Sequence, residues 1–117
     1  MKISMEKEPS PKATSMIPTW KIIIDEYQTE LEKDFKIKMT RLMMDRQEYG
    51  YEKHGVNLTP NNGRNNIVDA IQEGLDLMVY IRNNMRVSND SLLSDAYQAS
   101  IVAVELLLLY KIKQETI

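Results

Sequence analysis

Asp69, Glu73 and Asp76 stand at i, i+4 and i+7. On an α-helix turning ~100° per residue they fall within about 60° of arc and point one way. No Lys or Arg occurs from Asn65 to Ile81, so nothing in the segment offsets three like charges that cost a few tenths of a kcal/mol per pair. A metal site is the favoured reading of that stripe; a solvated acidic face, helped by the helix macrodipole, is the competing one. A second acidic pair, Asp45 and Glu48, is spaced i, i+3, with Glu52 a further turn along if the helix continues through Gly50. In an antiparallel hairpin the two sets would lie at similar depths from the connecting loop. Four or so inward carboxylates can hold one or two Mg²⁺ (or Mn²⁺) ions, with water completing the octahedra. Such an ion is a Lewis acid and water activator suited to phosphoryl chemistry. For Asp45 and Glu48 the alternative is ordinary surface pairing with Arg41 and Arg46.

Between the acidic sets runs Gly50 to Arg64, with Gly50, Gly55, Gly63, Pro60, Asn57, Asn61 and Asn62. The segment is long for a helix connection, where about 2–8 residues are usual, and long loops are often functional. Asn and Gly in succession can turn backbone N–H groups toward an anion, which makes Asn62 a candidate nucleotide ligand. Lys53 and Arg64 supply charge for phosphate. Tyr80 shares the arc of Glu73 and could stack on a base, with a packed tyrosine as the plainer reading. His54 reads as a loop residue rather than a general base.

The elements that must position these groups follow from composition and periodicity. The chain has 117 residues, 43% apolar and 27% charged, which suits one core. A net charge of −2 lacks the field that draws a protein onto nucleic acid or anionic lipid. Without cysteine there are no disulfides, thiolate zinc sites or thiol nucleophiles, and a reducing cytoplasm fits. His54 is the one histidine, so zinc-hydrolase signatures cannot be assembled. Residues 1–18, with Pro9, Pro11 and Pro18, read as an extended or disordered arm and lack a signal-peptide core. The greasiest run, Ile101 to Tyr110, is interrupted by Glu105 and is far shorter than the roughly 20 residues a bilayer requires. No membrane span is expected, and a cytoplasmic protein is.

Nothing alternates with period two over a useful length, so the fold is expected to be all-α. Residues 19–117 read as a single helical domain of about three main helices, completed by oligomerisation. The first runs from Thr19 toward Tyr49, with Trp20, Ile24, Tyr27, Leu31, Phe35, Leu42 and Tyr49 as its core stripe. The second starts at Asn65 or Asn66, ends near Arg86 and turns Ile67, Ile71, Leu75, Met78 and Met85 inward. The third follows capping candidates Ser88, Asn89 and Asp90 and continues to about Lys113. It is apolar on more than one side, from Leu92 to Tyr110. Three helices cannot bury two faces of one of them, so a homodimer or homotetramer is expected; a central helix of the domain is the alternative.

The stretch Arg46-Gln-Glu-Tyr-Gly50-Tyr-Glu-Lys53-His-Gly55, then Asn62-Gly-Arg64, then Asp69 to Arg82 with the ExxD Glu73-Gly-Leu-Asp76, resembles the MazG-like branch of the all-α nucleoside triphosphate pyrophosphohydrolases. The likeness covers residues 46–82. It implies a helical, dimeric or tetrameric enzyme that uses Mg²⁺ to cleave a (deoxy)nucleoside triphosphate between its α- and β-phosphates. By position, Glu73 and Asp76 would ligate metal while Lys53 and Arg64 face the phosphates. The family's first acidic pair is usually ExxE; here Asp45-Arg-Gln-Glu48 is a DxxE. His54 stands where Tyr is usual, and Asn65 follows Arg64 where an acid is common.

Three functions follow as expectations. The first is a Mg²⁺-dependent nucleotide pyrophosphohydrolase in which Glu48 or Glu73 orients the attacking water and Asp45, Glu48, Asp69, Glu73 and Asp76 are the metal candidates. The second is a non-catalytic protein of viral type that sequesters a nucleotide or cyclic nucleotide. The third is a helical interaction module built on its last helix.

Overall fold

The computed structural model describes residues 9–27 and 33–116, Lys33 by its backbone alone. Four helices are present among them: α1 (Thr19–Tyr27), α2 (Lys33–His54), α3 (Asn66–Met85) and α4 (Ser91–Glu115). The fold is all-helical. The described residues divide into two compact units, 9–64 and 65–116.

In the first unit, α1 packs against α2. The single helix expected from Thr19 to Tyr49 is therefore two, and the second continues beyond Tyr49 to His54. Gly50 costs about 1 kcal/mol relative to Ala inside a helix, yet the helix passes through it and stops at Gly55. Gly55 has φ +75° and donates its N–H to the Tyr51 carbonyl at 2.6 Å, the left-handed ending that glycine adopts without strain. Because α1 and α2 are separate helices, one 100° phase does not carry through both. Phe35, Leu42 and Tyr49, expected in the core, are exposed, and among the described residues of α2 Met43 is buried. Leu31 lies outside the described residues.

Residues 9–18 form an extended arm laid on the loop between α2 and α3. Pro11 is buried. The Lys12 N–H donates to the Asn62 carbonyl at 2.7 Å and the Thr19 N–H to the Leu58 carbonyl at 2.8 Å. Between these, the Thr14 hydroxyl donates to the buried Thr59 Oγ1 at 2.6 Å. The arm is thus held by backbone and side-chain hydrogen bonds together with the burial of Pro11.

The second unit is an antiparallel hairpin of α3 and α4, joined by a connection too short for any other arrangement of two packed helices. Asn65 caps α3, its Oδ1 accepting from the Val68 N–H at 3.1 Å, and Asp90 caps α4, its Oδ1 accepting from the Leu92 N–H at 2.8 Å. Val68, Ile71, Ser100 and Val104 are buried between the helices. The closest approach is at Gly74, where an added Cβ would lie 2.6 Å from Val104 Cγ2. Leu75, expected inward, is exposed, because the contact face is phased on Ile71 and Gly74 instead.

The second apolar face of α4 is real: Leu92, Val102, Leu106, Leu109 and Tyr110 are exposed. By length and composition this helix could also cross a membrane. The run Ile101 to Tyr110 understates that, since apolar residues continue toward the start of the helix through Ala99, Ala96, Leu93 and Leu92.

Candidate functional site

Helix α2 carries chemistry on two sides of its last three turns. On one side Asp45 and Glu48 line an open depression of ≈ 430 Å³ together with Met44, Gln47, Tyr51 and Asn57. The spacing i, i+3 on a continuous helix is what turns both carboxylates into it. Arg46, offered by the sequence as an ion-pair partner, is placed differently: its guanidinium lies 4.6 Å from the centroid of the Tyr49 ring. Asp45 and Glu48 form no ion pair with the described residues.

On the other side Arg46, Tyr49, Lys53 and His54 line a cleft of ≈ 200 Å³, closed by Trp20 of α1 and Leu58 of the loop. Sequence reasoning named only Lys53 here as a ligand. The signal it missed is the spacing of Arg46, Tyr49 and Lys53 at i, i+3 and i+7, which stacks a cation, a ring and a second cation on one face. Trp20 has no local signal; α1 brings it. Gln47 and Tyr51 line both recesses, so the two sides are contiguous around the helix. Half-buried His54 stands beside Lys53 as part of α2, not of the loop. One cation over a ring, Arg46 on Tyr49, with Lys53 and Trp20 lining the same cleft, suits a phosphorylated aromatic ligand, with charge for the phosphates and a face for the base.

The loop residues take other positions. Asn62, expected to face a nucleotide, is 1% exposed. Its Oδ1 accepts from the Arg64 N–H at 3.0 Å, and its carbonyl holds the arm at Lys12. Asn61 and Gly63 flank it at φ 57° and 88°, the left-handed conformations that fold the loop tightly. Arg64, expected on phosphate, donates Nη1 to the Pro9 carbonyl at 2.7 Å. Both residues therefore shape the loop and anchor the arm.

The α3 stripe is set by the helix register. With Ile71 and Gly74 turned to α4, Glu73, Asp76 and Tyr80 are turned outward and exposed, Tyr80 at 69%. Asp69, in the first turn, is half-buried. Tyr80 is thus neither a core nor a hairpin-interface residue. Glu73 and Asp76 form no ion pair with the described residues. The stripe and the Asp45–Glu48 pair belong to different units. Among the described residues no three acidic or imidazole groups gather into a metal-binding group. A hard divalent cation that takes one or two protein carboxylates and completes its shell with water and ligand phosphates fits a pair such as Asp45 and Glu48.

Comparison with family models, with curated proteins and with solved structures finds no match.

Proposed function

We propose that this protein is a Mg²⁺-dependent (or Mn²⁺-dependent) (deoxy)nucleoside triphosphate pyrophosphohydrolase acting in the cytoplasm as a homodimer or homotetramer. The observation that carries the reading is on α2. An unpaired acidic depression adjoins a cleft of cations and aromatic rings on the last turns of one helix. In the reaction a water oxygen bonds to the α-phosphorus, the bond to the α,β-bridging oxygen breaks, and a monophosphate and pyrophosphate leave. Lys53 and Arg46 offset phosphate charge, and Trp20 or Tyr49 gives the base a face to stack on. Asp45 and Glu48 offer oxygen ligands on α2, and Asp69, Glu73 and Asp76 offer a second set on α3. A divalent ion held by such ligands supplies Lewis-acid polarisation of the phosphates. Glu48 in the first set and Glu73 in the second are the carboxylates suited to orient the water and accept its proton.

A second reading is favoured by one feature: the cations and rings of the cleft all lie in one unit, so binding needs no contribution from the α3 carboxylates. In that reading the protein sequesters a nucleotide or cyclic nucleotide unchanged, and the DxxE at Asp45–Glu48 marks lost hydrolysis. Incubating the protein with a panel of nucleotides and Mg²⁺, then identifying what is recovered, separates the two. Monophosphate with pyrophosphate supports the enzyme, and unchanged ligand held tightly supports the sequestering protein. No binding to any nucleotide overturns both.

A further inference from the structure

The inward face of α4 is spoken for by α3, which leaves a second face without a partner in the hairpin. Leu92, Ala96, Ala99, Ala103, Leu106, Tyr110 and Lys113 are all exposed. They succeed one another at alternating steps of four and three residues. That is the 3.5-residue repeat of a coiled-coil seam, present without any facing helix. Val102 and Leu109 widen it on one flank beside exposed Asp95, with Ser91, Gln98 and Glu105 beyond them, and on its other flank the seam adjoins the α3 contact directly.

The seam is graded in size. Its first half, after Leu92, is alanine, and its second half is Leu106 and Tyr110. Two parallel copies would set alanine against alanine over the first half and Leu and Tyr against themselves over the second, with Lys113 facing Lys113. Two antiparallel copies centred on Ile101 instead oppose Leu92 to Tyr110, Ala96 to Leu106 and Ala99 to Ala103. Each large side chain then meets a smaller or complementary one, as interdigitating layers require. The same register brings Lys113 of one copy opposite Asn89 of the other, one residue from the cap Asp90. That cation lies near the capping acid of the partner helix, and the two macrodipoles oppose.

We propose that α4 is the self-association seam of this protein, pairing antiparallel with α4 of a second copy to make a four-helix assembly of two α3–α4 hairpins. The proposal rests on the homo-oligomer part of the reading above and is independent of the nucleotide chemistry. A lipid bilayer is the other occupant that α4 suits by length, and only 11% of its apolar window is buried. The hairpin argues for a second copy, because α3 is packed along α4 and would carry exposed Glu73 and Asp76 into the hydrocarbon beside it. Antiparallel pairing covers the seam while leaving that acidic stripe in water.

The chain has no cysteine, which makes cross-linking decisive. Full-length Leu92→Cys and Tyr110→Cys variants are oxidised separately and as a remixed sample after dissociation and reassembly. The proposal predicts a covalent dimer in the mixture, composed of one chain of each kind, and little from either variant alone. Cross-linking of Leu92→Cys with itself would overturn the antiparallel seam. A dimer by light scattering that cross-links in neither sample would overturn it too, while leaving the broader oligomer reading standing. Leu106→Glu should weaken association about thirtyfold or more, as removal of a central hot spot does, with helicity by circular dichroism retained. A monomer that instead partitions onto phosphatidylcholine vesicles through α4 would assign the face to lipid and overturn the proposal.

Discussion

The two units of this chain are held by different forces. Residues 9–64 are tied by directional polar bonds: Lys12 to Asn62, Thr14 to Thr59, Thr19 to Leu58 and Arg64 to Pro9. From Asn65 onward the stabilising feature is close packing, with Gly74 letting Val104 approach and with caps at Asn65 and Asp90. Hydrogen bonds fix distances and angles, so the first arrangement suits a unit that presents a cleft at a fixed loop. Packing along two helices fixes a face, so the second suits a surface of regular register, acidic on α3 and apolar on α4. Nucleotide binding is therefore expected to be lost by changes in the first unit, and assembly and stability by changes in the second.

The largest effect is expected at Glu48. Glu48→Gln removes one charge in nearly the same volume on an exposed turn of α2, so the fold should persist while pyrophosphate release falls on the order of 10²–10⁴-fold. Unchanged turnover in a steady-state assay would place the chemistry outside the α2 depression. Next is Lys53→Ala, which deletes a charged donor from the cleft and should weaken nucleotide binding by about 1.5–3 kcal/mol, roughly ten- to a hundredfold, by titration calorimetry. Wild-type affinity in that variant would remove the cleft from the account.

In the second unit, Gly74→Ala places a methyl group against the stiff Val104 side chain and should cost about 1–3 kcal/mol in chemical denaturation. Nucleotide binding measured on the folded fraction should not change. A loss of affinity with full stability would contradict the assignment of binding to the first unit. The smallest effect is expected from metal alone: at tenfold its dissociation constant, Mn²⁺ should raise stability by about 1.4 kcal/mol. The shift should shrink in Asp76→Asn if the α3 stripe takes the ion, and in Asp45→Asn if the α2 pair does. A melting temperature indifferent to Mn²⁺ would leave both as solvated acidic faces.

What the sequence reveals of this structure is what local rules govern. Asp90 is among the three caps read from the sequence, because an N-cap acts within three residues, and it does cap α4; Asn65, read as a possible start of its helix, is the cap of α3. The two-sided apolarity of α4 is a periodicity, and both faces are there. The stripe assigned to Phe35, Leu42 and Tyr49 fails because a helical phase is defined only within one continuous helix, and the first helix is two. Asn62 and Arg64 read as phosphate ligands because their type and loop setting allow it. Their partners, Lys12 and Pro9, are about fifty residues earlier in the chain, beyond the range of any local pattern. The cleft is legible in part: Arg46, Tyr49 and Lys53 share a face by spacing, whereas Trp20 enters only through the packing of α1 on α2.

The central claim is hydrolysis at the α-phosphorus, and ¹⁸O-labelled water tests it most directly. A nucleoside triphosphate is incubated with the protein and Mg²⁺ in labelled water, and the products are resolved by mass spectrometry. The account predicts one ¹⁸O in the nucleoside monophosphate and none in the pyrophosphate. Label in the pyrophosphate or in free phosphate, or recovery of every triphosphate tested intact, would contradict it.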